Sequence, residues 1–403
     1  MKILCVFSKY PAGSVNTNIT KDLALALKKA GNEVSIVTIL ERKYKKRTHV
    51  DIEDSMDVLR VKTGNMFNEV SKYEKFITTL LLPYQIYNAV INKFSEKYFD
   101  LIITHTPFIS DARLISKLKK KYNARALLLL WDIFPQNALD IGILKKGLLF
   151  DFLKKKECRM LKTYEFINCM SNGNRDYLLK HYTFITPASL IVNYNWGVVI
   201  PSSMNSKQEI RDKFGFDMQD KLCVFGGNVG LPQCIDNIFE LIKCTSSEEN
   251  VKFLVVGAGT EVNKLQYAVA AHELVNVFFY EHMQRAMYEE LISCCDLGLV
   301  SLDPRFTVPN FPSKTTDYFK CSLPVFAMLD RVAYQDYGSF LTIQAKAGVA
   351  ALADDAPNAS SLLISMLNNT DALHEMGMNA RCFFELYLNV DEVVKNILTT
   401  TAL

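Results

Sequence analysis

The 403-residue sequence holds only two tryptophans and six scattered histidines. No cysteines are spaced as Cys-x-x-Cys and no aspartates as Asp-x-Asp, so metal ligation has no support in the sequence. The ten cysteines, at 5, 158, 169, 223, 234, 244, 294, 295, 321 and 382, sit mostly inside apolar segments. That usage predicts reduced core residues in a cytosolic protein rather than a disulfide framework. Long apolar runs are also missing: Ala126–Trp131 stops at Asp132, far short of the roughly 20 residues that span a bilayer. Met1–Phe7 carries one charge and a short apolar run, then Ser8, Lys9, Tyr10 and Pro11, and reads as a first β-strand rather than a leader. With 49% apolar and 22% charged residues and no low-complexity stretch, a disordered chain is excluded.

What is present is an uneven charge. The formal net of +3 points to neither a nucleic-acid binder nor an acidic tail, yet it hides two opposed halves. Positions 1–200 hold 31 basic and 18 acidic residues, and positions 201–403 hold 15 and 25. A basic half suits phosphate, nucleic acid or an anionic membrane. Its excess is clustered at Arg42–Arg47, Lys117–Lys121 and Lys145–Lys162, the last with Leu148, Leu149, Phe150, Phe152 and Leu153 interleaved. Each cluster reads equally as a solvated helix face, but the three together favour contact with an anionic membrane surface.

The length prior gives two domains. In the first half, strand-like Ile3–Phe7, Val34–Leu40, Leu101–Thr104, Ala126–Leu130, Phe166–Cys169 and Ser189–Val192 alternate with helical Asn18–Ala30, Asp111–Tyr122 and Asn174–Lys180. Pro201–Ser206 is linker-like, and the rhythm then restarts with Leu222–Phe225 and a helix over Gln233–Cys244. Strands follow at Phe253–Val256, Val277–Tyr280, Leu297–Ser301, Pro324–Met328 and Gly348–Ala351. The pattern predicts an α/β protein of two doubly wound, Rossmann-like domains facing across a cleft, with ligands at the carboxyl ends of the strands. The expected division is 1–200, 201–375, and a terminal segment 376–403 whose helix crosses back to the first domain.

Six places carry candidate chemistry. Phe225–Gly230 follows a strand and precedes a helix, so Gly227, Asn228 and Gly230 read either as a diphosphate site offering backbone N–H groups or as a tight turn. Gly257-Ala258-Gly259 is a weaker version of that signal and reads first as a packing turn. Pro309–Phe319 is a Pro-rich loop feeding a helix that Ser313 is expected to cap, with Lys314 and Asp317 about one turn apart. A cation there neutralises a leaving diphosphate and a carboxylate holds ribose hydroxyls; the plain alternative is a capped surface helix. In the first half, Asp132 ends an apolar strand and is read as orienting an acceptor hydroxyl or acting as its general base. His105 also ends a strand, although a lone histidine is more often structural, and Gly13 in the first loop would let backbone approach a phosphate.

These segments resemble a known family. Gly226–Gly230, Tyr288–Leu297, Pro312–Val325 and Met376–Arg381 are similar to the retaining GT-B glycosyltransferases of family four (glycosyltransferases group one). Trp131–Gln136, Ser171–Leu178 and Asn193–Trp196 resemble its bacterial O-antigen and capsule aminosugar-transferase branch. Three departures are visible. The first of the family's paired glutamates falls at Pro309 or Asn310, leaving Asp317 at the second position. No Arg or Lys closely follows the Gly-rich loop, and Asp132 stands where many relatives carry a histidine.

The resemblance implies a retaining, metal-independent transfer of a sugar, an N-acetylated aminosugar, from a nucleotide-diphospho donor, UDP-linked, to a lipid-linked acceptor. Catalytic roles then fall to Asp132, Lys314 and His105, and donor binding to Gly13, Gly227, Asn228, Gly230, Ser313 and Asp317. No further cofactor, metal or nucleic acid is implied. The protein would lie in the cytoplasm, peripheral to the inner membrane. Two other readings remain: a nucleotide-sugar epimerase on the same fold, and a non-catalytic nucleotide-sugar-binding protein. A dinucleotide dehydrogenase is disfavoured because neither Gly-rich loop has the Gly-x-Gly-x-x-Gly fingerprint.

Overall fold

The computed structural model describes residues 1–13, 17–67, 70–107, 111–200, 206–281 and 283–401. Most of the linker-like stretch expected at Pro201–Ser206, namely residues 201–205, lies outside them. Two compact units form, one from Met1–Pro135, Lys146–Val198 and Val390–Leu403, the other from Gln136–Lys145 and Val199–Asn389. Gln136–Lys145 therefore joins the second unit, where the Asp140 carboxylate accepts from the Thr307 N–H at 2.7 Å and its hydroxyl at 2.8 Å. Residues 376–389 also stay there, because Arg381 donates to the carbonyls of Lys320 and Ile200 at 2.6 and 2.8 Å.

In the first unit, strands β1 (Lys2–Phe7), β2 (Glu33–Glu41), β3 (His49–Glu53), β4 (Met56–Thr63), β5 (Leu101–His105), β6 (Arg125–Leu130), β7 (Phe166–Cys169) and β8 (Leu190–Val192) build one sheet. Its order is β3-β4-β2-β1-β5-β6-β7-β8, parallel except for the β3–β4 pair. That hairpin has no counterpart in the sequence reading. It closes on Asp54 and Ser55, both left-handed at φ 50° and 55°, where most chains use Asn-Gly, and its charged residues blur the apolar alternation.

The helices up to residue 181 are α1 (Ile19–Lys29), α2 (Lys72–Lys93), α3 (Ala112–Tyr122), α4 (Gln136–Asp140, in the second unit), α5 (Leu148–Leu161) and α6 (Asn172–His181). α1 begins where the Asn18 side chain accepts the Lys21 N–H, and α3 begins where Asp111 accepts those of Arg113 and Leu114. Right-handed crossovers between parallel strands place α2, α3 and α5 side by side on one face, with α2 against α3 and α3 against α5. Helix α1 and the last helix cover the other face, around Ile3, Cys5, Phe7, Ile103 and Leu127. Because both faces are covered, the central strands are buried from Ile3 to Phe7 in β1 and throughout β5.

The second unit holds α7 (Lys207–Phe214), β9 (Lys221–Gly226), α8 (Ile235–Cys244), β10 (Val251–Val256), α9 (Val262–Ala271), β11 (Val277–Tyr280), α10 (Arg285–Ser293) and β12 (Leu297–Ser301). It continues with α11 (Lys314–Lys320), β13 (Val325–Leu329), α12 (Arg331–Ala333), β14 (Gly348–Leu352), α13 (Ala356–Asn368) and α14 (Thr370–Phe383). α15 (Val390–Thr401) is the last helix of the first unit. The six strands are all parallel in the order β11-β10-β9-β12-β13-β14. Strand order reverses between β9 and β12, which opens a crevice beyond their carboxyl ends.

The two units are thus Rossmann-like and the fold is of the GT-B type. All ten cysteines are free, and Cys244 and Cys382 are exposed rather than in the core. Among the described residues no helix is long and apolar enough to cross a membrane.

Candidate functional site

In the second unit the crevice at the β9/β12 reversal is a cavity of about 160 Å³. Gly226, Gly227, Asn228, Ser313, Lys314 and Asp317 line it, together with Gln233 and Tyr288. The Gly-rich loop is built by close backbone approach. A Cβ on Gly257 would stand 2.1 Å from the Gly227 carbonyl oxygen and one on Gly259 2.0 Å from that of Val229, so the second glycine pair supports the first as a packing turn. Gly227 itself has φ +90°, a conformation that side chains strain to adopt.

The loop does not, however, offer a row of backbone donors. The Gly226 N–H is taken by the Tyr318 hydroxyl at 3.0 Å and that of Gly227 by Val256 O at 2.8 Å. Val229 donates to Ala258 O at 3.0 Å and Gly230 to the Gln233 side-chain oxygen at 3.1 Å. Gly230 is thereby removed as a phosphate donor and Gly227 acts by its shape. The Asn228 N–H has no partner among the described residues, while its side-chain amide donates to Gln233 at 3.1 Å.

Lys314 supplies the charge. Its ammonium donates to Gly226 O and, at 3.4 Å, to Asn228 O, and lies 4.1 Å from the centre of the Phe225 ring. Burial of that end pushes the amine down to about 7, against the pull of Asp317 one turn on. Asp317 is raised by burial, opposed by Arg285, whose guanidinium donates to it at 2.8 Å. Arg285 also meets Glu289 at 2.8 Å, and Glu289 meets the buried Lys320 at 2.6 Å, so a chain of four charges fixes the Asp317 carboxylate. Ser313 does not cap α11: it has helical φ and ψ, its side chain makes no capping bond, and it stands exposed at the cavity.

In the first unit, Asp132 follows β6 at the rim of a separate cavity of about 200 Å³ between α3, α5 and the ends of β5 and β6. The Thr106 hydroxyl oxygen holds it in place by accepting the N–H groups of Trp131 and Asp132 at 2.9 and 3.0 Å. Asp132 is exposed at that rim, but protein atoms crowd its carboxyl and raise it above the ordinary carboxylate range. Lys156 and Arg159 line the same cavity beside Phe134, Leu153 and Met160.

His105 lies elsewhere in character. It is 3% exposed, stacked on Trp131 at 4.4 Å, and burial pushes it down to about 4. The assigned network has Nδ1–H donating to Thr106 O at 2.8 Å and Nε2 accepting the Ser8 N–H at 3.1 Å. A neutral ring with both nitrogens occupied has no proton to exchange with a substrate, which corrects its expected catalytic role. Gly13 is similarly engaged, donating its N–H to Glu53 at 3.2 Å, so its backbone is not on offer to a phosphate.

Arg285, Gln233, Tyr318 and Thr106 were not anticipated. Their partners lie between 3 and 92 positions away, and only Gln233, three residues after Gly230, had a local signal. Among the described residues no group of three or more His, Cys, Asp or Glu side chains is placed to hold a metal ion.

Comparison with known proteins gives a family match for part of the chain and a fold likeness for the whole of it. Residues 206–383 match the family described as Glycosyl transferases group 1. The probable glycosyltransferase WbjE of Pseudomonas aeruginosa is 23% identical over 220 residues, covering 51% of this chain and 52% of that protein. The chain therefore matches about half the length of this curated relative. Sucrose-phosphate synthase from Thermosynechococcus elongatus superposes with a TM-score of 0.76 at 14% identity, over 99% of this chain and 98% of that one. Anabaena HepE in complex with UDP and glucose gives a TM-score of 0.70 at 14% identity, over 100% and 99% of the two chains.

Proposed function

We propose that the protein is a glycosyltransferase that moves a sugar, an N-acetylated aminosugar, from a UDP-linked donor to a lipid-linked acceptor in surface-polysaccharide synthesis, O-antigen or capsule. The observation that carries this reading is the Lys314 ammonium, set over the Gly226 and Asn228 carbonyls at the β9/β12 reversal, inside the segment that matches the group 1 transferases. A UDP-bound structural neighbour supports the choice of donor.

In this reading the diphosphate lies against Lys314, Ser313 and the Asn228 N–H, and Asp317 receives ribose hydroxyls. Catalysis is positioning plus stabilisation of the leaving diphosphate, which takes the acceptor proton as the new bond forms with retention and without a metal. Asp132 orients the acceptor hydroxyl in the first unit. The enzyme works at the cytoplasmic face of the inner membrane as a peripheral protein.

The test is a thermal-stabilisation screen of nucleotide sugars followed by turnover. A donor present at 100 times its Kd is expected to stabilise the protein by about 2.7 kcal/mol, and UDP-linked sugars should do so selectively. Formation of an epimer without acceptor would replace this reading with the epimerase. Stabilisation without turnover on any lipid-linked acceptor would leave a binding protein.

A further inference from the structure

Helix α2 has two apolar faces, and only one is covered. Thr78, Leu82, Ile86 and Val90 point into the first unit and are buried. Tyr73, Phe76, Ile77, Leu80, Leu81 and Tyr84, at i, i+3, i+4, i+7, i+8 and i+11, form a second stripe that stands 37 to 75% exposed. A continuous exposed stripe of that size on one helix marks an interaction surface. Its surroundings are predominantly basic. Arg42 and Lys62 line the groove on one side, and Arg113 and Lys117 the groove between α2 and α3. α3 carries no acid between Ala112 and Tyr122, and the one acid of α2, Glu74, is paired with Arg42 at 3.1 Å. Beyond α3, in the same layer, α5 exposes Leu148, Leu149 and Phe152 beside Lys155, Lys156 and Arg159, with Asp151 as its one exposed acid.

We infer that the outer face of the α2–α3–α5 layer docks on an anionic lipid bilayer, with the α2 stripe entering the headgroup and acyl boundary. An interfacial helix needs this combination of an apolar face, tyrosines toward its ends and flanking cations. A second copy of the chain fits worse, because a two-fold interface brings each basic flank against its own like. The inference deepens the membrane reading above and rests on it only for the choice of a bilayer, since the stripe itself is independent of the donor site.

The experiment is co-sedimentation of the full chain with phosphatidylcholine vesicles, with and without phosphatidylglycerol. The protein is expected to bind the anionic vesicles at least tenfold more tightly than the neutral ones. The triple variant Phe76→Ser, Leu80→Ser, Leu81→Ser, all exposed positions, is expected to lose at least tenfold on anionic vesicles while UDP-induced stabilisation is unchanged. In Leu80→Trp, emission should shift to the blue on vesicles and be quenched by brominated lipid. Unchanged binding by the triple variant, or an unmoved Leu80→Trp emission, overturns the inference. So does a concentration-dependent dimer that the triple variant abolishes, which would assign the stripe to a second copy. Loss of the UDP response with vesicle binding intact would instead remove the transferase reading and leave this one standing.

Discussion

Replacing Lys314 with alanine is expected to lower kcat/KM for sugar transfer by ~10²–10³-fold, the effect of removing one preorganised donor from a developing anion, or about 3–4 kcal/mol. The stability of the second unit should hold or rise. Burial disfavours the ammonium, so the folded state gives up a proton that the unfolded chain keeps between about pH 7 and the ordinary lysine value. Removing the side chain relieves that cost while forfeiting only the hydrogen bonds to Gly226 O and Asn228 O. This combination separates a binding residue from a structural one. Steady-state kinetics beside a thermal melt of Lys314→Ala read both at once, and full activity in the variant would sink the assignment.

The second large effect belongs to His105 and concerns stability. Its folded value of about 4 lies below the ordinary 6.5, so between those two pH values the unfolded chain binds a proton that the folded chain refuses. The stabilisation is complete above pH 6.5 and is lost as pH falls, by about 2 kcal/mol at pH 5 and about 3 kcal/mol near pH 4. Both tryptophans, Trp131 and Trp196, lie in the first unit, and Trp131 stacks on the ring, so their fluorescence during urea unfolding reports this unit. The difference between wild type and His105→Gln should shrink from pH 7.5 to pH 5, because the variant has no proton to bind. A constant difference would contradict the buried neutral ring. Loss of transfer at pH 7.5 with unchanged unfolding would restore a catalytic role.

The two cases show what a sequence can and cannot carry. Strands β9, β10 and β12 were legible because a buried parallel strand is an apolar run between turn residues, and the Gly-rich loop because glycine is where backbones must meet. Its chemistry was not legible. That Gly226 donates to Tyr318 depends on a partner the fold brings in from 92 positions away, whereas Gly230 donates to Gln233 only three residues on. Lys314 and Asp317 could be paired from helical spacing, but Arg285, which fixes Asp317, comes from α10. His105 at a strand end looked like Asp132 at the next, and only burial separates the neutral, fully bonded ring from the carboxyl at a cavity rim. Helix α2 escaped because apolar residues on both of its faces leave no helical period to see.

In the proposed reaction the donor's diphosphate is met by a lysine that is half unprotonated near neutrality. Calorimetric titration of UDP at pH 8, in two buffers of different ionisation enthalpy, counts the protons taken up on binding. With the free amine at about 7, binding should draw in about 0.9 proton per UDP at pH 8, and almost none in Lys314→Arg, whose guanidinium stays charged. Binding of UDP to the wild-type protein with no proton uptake would contradict the account.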